Sequence, residues 1–219
     1  MTLPARHGKP ANPIAALAFV ALVSLAACGG DPFGAPARVK THGYRARATQ
    51  LTGTKETHAQ LAVRGEDRRR EPEEGQSGNV FIWKGTERRA FELDPRAKTV
   101  VERPFVLDEA LPGHPLSSGF SDQAESARRG VTDYHREGDT VFAGHVCWIW
   151  RFEDKPSDPL SPSTTYWVAP DLDRLVVRVV REGAPGAPPL SSSELTSVRV
   201  GASPDLFQIP ASYRRISKP

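Results

Sequence analysis

Apolar side chains are distributed along this chain in two contrasting ways. Near the N-terminus they form one run, IAALAFVALVSLAA at residues 14–27, in which Ser24 is the single polar residue. A helix needs about 20 apolar residues to cross the hydrocarbon of a bilayer, so the run is short for a span. Arg6 and Lys9 precede it with no acid between or around them. That basic-then-apolar order belongs to an export signal that is cleaved off. Residues 1–27 are therefore expected to be a signal peptide. Residues 28–36, CGGDPFGAP, have the Gly and Pro content of a flexible tether.

From residue 44 the pattern changes to short runs rich in β-branched and aromatic residues, separated by turn residues. YRARATQL, THAQLAVRG, NVFIWKG, RRAFELD and KTVVERPF read as the first strands of an antiparallel meander. Asp94-Pro95, between the fourth and fifth, starts a hairpin turn. Residues 107–130 lack alternation. Their second half predicts a short helix, with Ser121 as N-cap, Asp122 and Glu125 in the first turn, Arg128 and Arg129 in the last, and Gly130 as the stop.

Strands resume with VTDYHR, a turn at Glu137-Gly138-Asp139, TVF, a turn at Ala143-Gly144, and HVCWIWRFED. In that last run Val146, Trp148, Trp150 and Phe152 point to one face; His145, Cys147, Ile149 and Arg151 point to the other. TTYWVA, RLVVRVVR and ELTSVRVG follow, with a turn at residues 170–173 and EGAPGAPPLSSS as a long loop. About ten strands and one or two short helices predict a mainly β (α+β) domain over residues 37–219. Its expected form is a strongly curved, incompletely closed antiparallel β-barrel with short helices covering the concave side. Curling of so large a sheet encloses an apolar concavity.

Removal of residues 1–27 leaves 192, enough for one large domain. The formal charge of +3 falls to about +1 once Arg6 and Lys9 are gone, which is no footprint for nucleic acid. The densest charge run, EDRRRE at residues 66–71 with Glu73 and Glu74 after it, mixes signs and reads as a solvated strand edge or loop. The only cysteines are Cys28 and Cys147. If Cys28 is modified, Cys147 has no partner, and a free thiol in an oxidising compartment survives best when buried.

Leu25-Ala26-Ala27-Cys28 resembles the lipobox of bacterial lipoproteins. That resemblance implies that Cys28 becomes the mature N-terminus, carrying a diacylglyceryl thioether and an N-acyl chain that anchor the protein to a membrane. Gly29 stands where an inner-membrane retention signal places Asp, so the implied site is the outer membrane, facing the periplasm. Further on, REGDTVFAGHVCWIW, YWVAPDLDRLVVRV, ELTSVRVG and PDLFQIPASYRRI occur in an order that resembles the lipoprotein-sorting group related to LolA and LolB. FELDPRAKTVVE is similar to that group's LDP hairpin. The resemblance covers residues 40–216. It implies an open curved sheet around a cavity suited to acyl chains, and a role as carrier, tethered acceptor or, in the MucB/RseB manner, sensor.

No Gly-x-Ser-x-Gly, His-Glu-x-x-His, phosphate loop or Cys-x-x-Cys occurs in the chain. His135, His145 and Cys147 are the most tempting metal set, weighed against a buried thiol with histidines near strand ends. Asp122 and Glu125 are better suited to a helix dipole than to acid–base work. No metal, cofactor or catalytic residue is therefore expected. Phe81, Trp83, Trp148, Trp150 and Trp167 are candidate lining for a hydrophobic ligand, with core packing as the other reading. The expected function is non-catalytic binding of an acyl chain, a lipoprotein or another hydrophobic ligand in envelope biogenesis. A protein-docking or sensor module in envelope homeostasis, with an envelope protein as partner, is the alternative, with an enzyme a distant third.

Overall fold

The computed structural model describes residues 42–105, 125–127, 129–130, 132–153, 162–183 and 186–217. Six strands come first: β1 (Tyr44–Thr52), β2 (Lys55–Arg64), β3 (Asp67–Glu71), β4 (Val80–Lys84), β5 (Arg89–Asp94) and β6 (Thr99–Arg103). After the central segment come β7 (Asp133–Phe142), β8 (His145–Glu153), β9 (Ser163–Ala169), β10 (Leu175–Glu182), β11 (Ser191–Val200) and β12 (Arg214–Arg215). They form one twelve-stranded sheet in the order β12-β6-β5-β4-β3-β2-β1-β11-β10-β9-β8-β7. Pairing of β1 with β11 fuses the two meanders. All pairings are antiparallel except the short β12 on β6. The sheet does not close on itself, as expected of an incompletely closed barrel. Bulges at Arg45/Arg47, Arg136/Gly138 and Val176/Arg178 bend its strands.

Three local expectations change. The middle of the charged run is neither an edge nor a loop: DRRRE is β3, hydrogen-bonded between β2 and β4, while Glu66, Glu73 and Glu74 fall in the flanking connections. Glu137-Gly138-Asp139 is not a turn, since β7 runs through it with a bulge at Gly138, whose φ of 143° a side chain would resist. Ser191, Ser192 and Ser193 leave the predicted loop and join β11, where partners on β1 and β10 override their weak strand preference. The terminal YRRI supplies β12. Of the predicted helix, residues 125–127 are helical; Gly130 stops it at φ 68°, and Glu125 lies 3.8 Å from Arg129. Ser121, Asp122 and Arg128 lie outside the described residues, as does the segment with Cys28.

Alternate side chains of a strand point to opposite faces, so register divides the sheet into two surfaces. One surface of β2–β6 is covered by the C-terminal segment: Ala202, Leu206, Phe207, Ile209 and Tyr213 pack on Ala62, Val80, Ile82, Phe91, Leu93 and Val100. A 3-10 turn at Pro204–Phe207, capped by Ser203, aims Phe207 inward. Arg69 donates to the carbonyl of Leu206 at 2.9 Å and Arg64 to that of Ala202 at 3.2 Å, fastening this clasp. The PDLFQIPASYRRI motif is thus a structural closure.

Cys147 is fully buried with its thiol 3.5 Å from the His145 carbonyl, and burial pushes its pKa up. It is expected to resist thiol reagents in the folded protein and to react on unfolding. Cys147→Ala is expected to cost on the order of 1 kcal/mol in urea denaturation while leaving ligand binding intact. Rapid modification of the native thiol would contradict this structural role.

Candidate binding face

The second surface of the sheet carries most of the tryptophans, and the register shows why. Trp150 lies opposite Tyr166 of β9, Tyr166 opposite Val179 of β10, and Val179 opposite Ser193 of β11. Ser193 faces Gln50 of β1, on the same side as Ala48 and its partner Ala59. Leu61 of β2 lies opposite Arg70 of β3, and Arg70 opposite Phe81 of β4. Phe81, Trp83, Trp148 and Trp150 therefore share one face, called here the tryptophan face. Trp167 does not. It pairs with Ile149 and Arg178 on the other surface, where the Arg178 guanidinium sits 4.7 Å from its ring and 3.2 Å from Glu194.

Six strands separate β4 from β8 in the sheet order, roughly 34 Å along its surface at the usual strand spacing. The aromatics thus make two patches. At the β8 end, Phe152 is fully buried, edge-on to Tyr166 at 5.5 Å and stacked on Tyr134 at 6.0 Å. Trp150 is buried beside them, whereas Trp148 is half-buried with the Arg136 guanidinium 5.4 Å from its ring. Between the patches lie the small side chains of Ala46, Ala48 and Ala59, all buried. Ala127, from the helical turn, belongs to the same core cluster. This half of the face is packed.

The β3–β6 half is more open. Phe81 is half-buried and stacked on Trp83 at 5.6 Å, with Ala90 and a half-buried Phe105 completing the cluster. Arg68 and Arg70 project onto this half, next to the aromatics, and the Arg70 guanidinium stands 5.9 Å from the Phe81 ring. Sequence reasoning missed both arginines, because a run of mixed charge resembles a solvated loop. Their i, i+2 spacing was the available signal, since on a strand it puts both on one face.

The candidate metal residues are not brought together. His145 is engaged with Asp171 at 2.7 Å, and His135 lies near Glu137 at the far end of the β7–β8 hairpin. Among the described residues, no three His, Cys, Asp or Glu side chains gather in a metal-ligand arrangement. No helix among them is long and apolar enough to cross a membrane.

The sequence matches no protein-family model and no curated protein. Solved structures do resemble it. MucB in the Pseudomonas aeruginosa MucA/MucB complex aligns at a TM-score of 0.53 and 12% identity, over 83% of this chain and 60% of that one. A crystal structure of MucB gives 0.52 and 13%, over 81% and 60%. An uncharacterized conserved protein from Thermus thermophilus gives 0.51 and 12%, over 84% and 95%. At such identities the likeness is one of fold. The chain spans 60% of the length of the MucB chains it resembles.

Proposed function

We propose that this chain is a lipid-anchored protein of the cell envelope that holds an acyl chain, or the acylated end of a lipoprotein, against its tryptophan face without turnover. The observation that carries the reading is the half-buried Phe81 ring, stacked on a buried Trp83, on the open half of the face. Burial of apolar surface contributes about 0.8 kcal/mol per methylene, so about ten methylenes laid along such a surface offset much of the cost of ordering the chain. The lipobox-like residues before Cys28 support anchoring, in the outer membrane with the domain facing the periplasm. The fold likeness and the motif order support a LolA/LolB-like relationship. A second reading, a protein-docking or sensor module, is favoured by one finding: MucB, which shares the fold, is seen in a complex with MucA.

Photoreactive hexadecanoate applied to the full chain in phosphatidylcholine nanodiscs separates the two. The acyl reading expects saturable labelling of peptides from β3 and β4. Phe81→Ala is expected to raise the half-saturating concentration about tenfold, a loss of about 1.4 kcal/mol. Its melting temperature should stay within a few degrees of the parent, because the side chain is only half-buried. Absence of labelling would leave protein docking as the better reading.

A further inference from the structure

Three consecutive arginines on β3 have divided fates. Arg69 points to the clasp surface, where Glu71 pairs with it and the Leu206 carbonyl accepts its hydrogen bond. Arg68 and Arg70 point the other way, and neither has a carboxylate within ion-pair distance among the described residues. Arg68 lies across β2 from Tyr44, a buried phenol whose pKa is pushed up to about 12 and which stays neutral. Arg70 stands over the face of Phe81. Burial lowers the pKa of both guanidiniums, a sign that their charge is held partly out of water; at Arg68 the nearby Tyr44 and the Glu66 carboxylate, beyond ion-pair distance, offset part of this. The carboxylate on this face two strands away, Glu92, is already taken by Arg103 and by Asn79 at 2.6 Å.

Partly desolvated cations without a hydrogen-bonded carboxylate are costly, and a guanidinium recovers most when an oxyanion accepts two parallel hydrogen bonds from it. Two residues apart on a strand, the two Cα atoms are roughly 6.5–7 Å apart, close enough for both side chains to converge on one anionic group. The stacked Phe81–Trp83 wall begins on the adjacent strand. We infer that Arg68 and Arg70 receive the carboxylate or phosphate head of an amphiphile whose hydrocarbon lies on the partly open Phe81 ring. This rests on the acyl-binding reading and narrows it to anionic ligands.

The test uses the full chain in neutral phosphatidylcholine nanodiscs with photoreactive forms of hexadecanoate, hexadecyl phosphate and hexadecanol. The two acids are expected to label β3–β4 peptides at concentrations at least tenfold below the alcohol. Arg68→Gln/Arg70→Gln should abolish that preference and leave labelling by the alcohol unchanged. Arg70→Lys, which keeps the charge and the strand, should lose part of it. Free inorganic phosphate should compete weakly if the tail contributes; competition as strong as that of unlabelled hexadecyl phosphate would make the head group alone the ligand and overturn the amphiphile. Equal labelling by acid and alcohol in the parent protein would overturn the inference and leave acyl binding standing. No labelling by any analogue would remove both.

Discussion

Replacing Phe152 by alanine is expected to lower the stability of the domain by about 3–5 kcal/mol, a large share of the roughly 5–15 kcal/mol typical of a folded domain. The ring is wholly buried, and the strands on both sides supply its neighbours: Tyr134 from β7 and Tyr166 from β9. Truncation removes the transfer energy of a phenyl group and leaves a cavity between two tyrosines whose backbones are fixed by the sheet. Those tyrosines cannot collapse into the gap without breaking register. Tyr134 is 40% exposed, so β7, at the end of the sheet order, is expected to loosen first. Urea denaturation followed by circular dichroism measures the loss, and amide exchange on β7 against β1 locates it. A change below about 1 kcal/mol would mean that the packing around Phe152 is slack.

The same hairpin shows what was legible in the amino-acid sequence. On β8 large apolar residues recur at every second position, and the tryptophan side could be read from the text because two-residue periodicity needs no knowledge of neighbours. Trp167 is the contrasting case. Its residue type groups it with the other tryptophans, but its face depends on pairing with Ile149, which only register reveals. β3 was hidden for another reason. DRRRE has no apolar residue to mark a period, and its extended form is imposed by the strands on either side. Gly138 between two acids carries the composition of a turn, which is also that of a bulge.

Function was less legible than fold for a physical reason. A hydrophobic ligand is bound with the same residue types that fill a core, so Trp150 and Phe81 look alike in sequence and differ only in what already covers them. Trp150 is packed, while Phe81 keeps a partly open face. Polar groups discriminate better. An arginine on an apolar wall is expensive unless something pairs with it, and whether Arg68 and Arg70 are paired is visible only once the strands on either side are in place.

Cys28→Ala is expected to abolish acylation altogether and to leave the chain as an unprocessed precursor or an unanchored product. The thioether forms on sulfur, and no other cysteine follows the apolar run until Cys147, which is buried in a strand. Alanine keeps the small-residue character of the site and removes only the nucleophile, so an ordinary signal peptide would tolerate the change. A single acyl chain gives marginal membrane binding, whereas several chains on one terminus hold firmly. Gly29 to Pro36 can span at most about 26–29 Å when extended, so acylation of Cys28 would confine the domain to the membrane surface, within reach of the anionic acyl ligand proposed above. Metabolic labelling with an alkynyl fatty acid, followed by membrane fractionation, reads both consequences. Loss of label together with release or a shift to the precursor mass is the expected result; undiminished labelling of the Cys28→Ala variant would show that the lipid is attached elsewhere, and an unlabelled parent would show that the segment is an ordinary export signal.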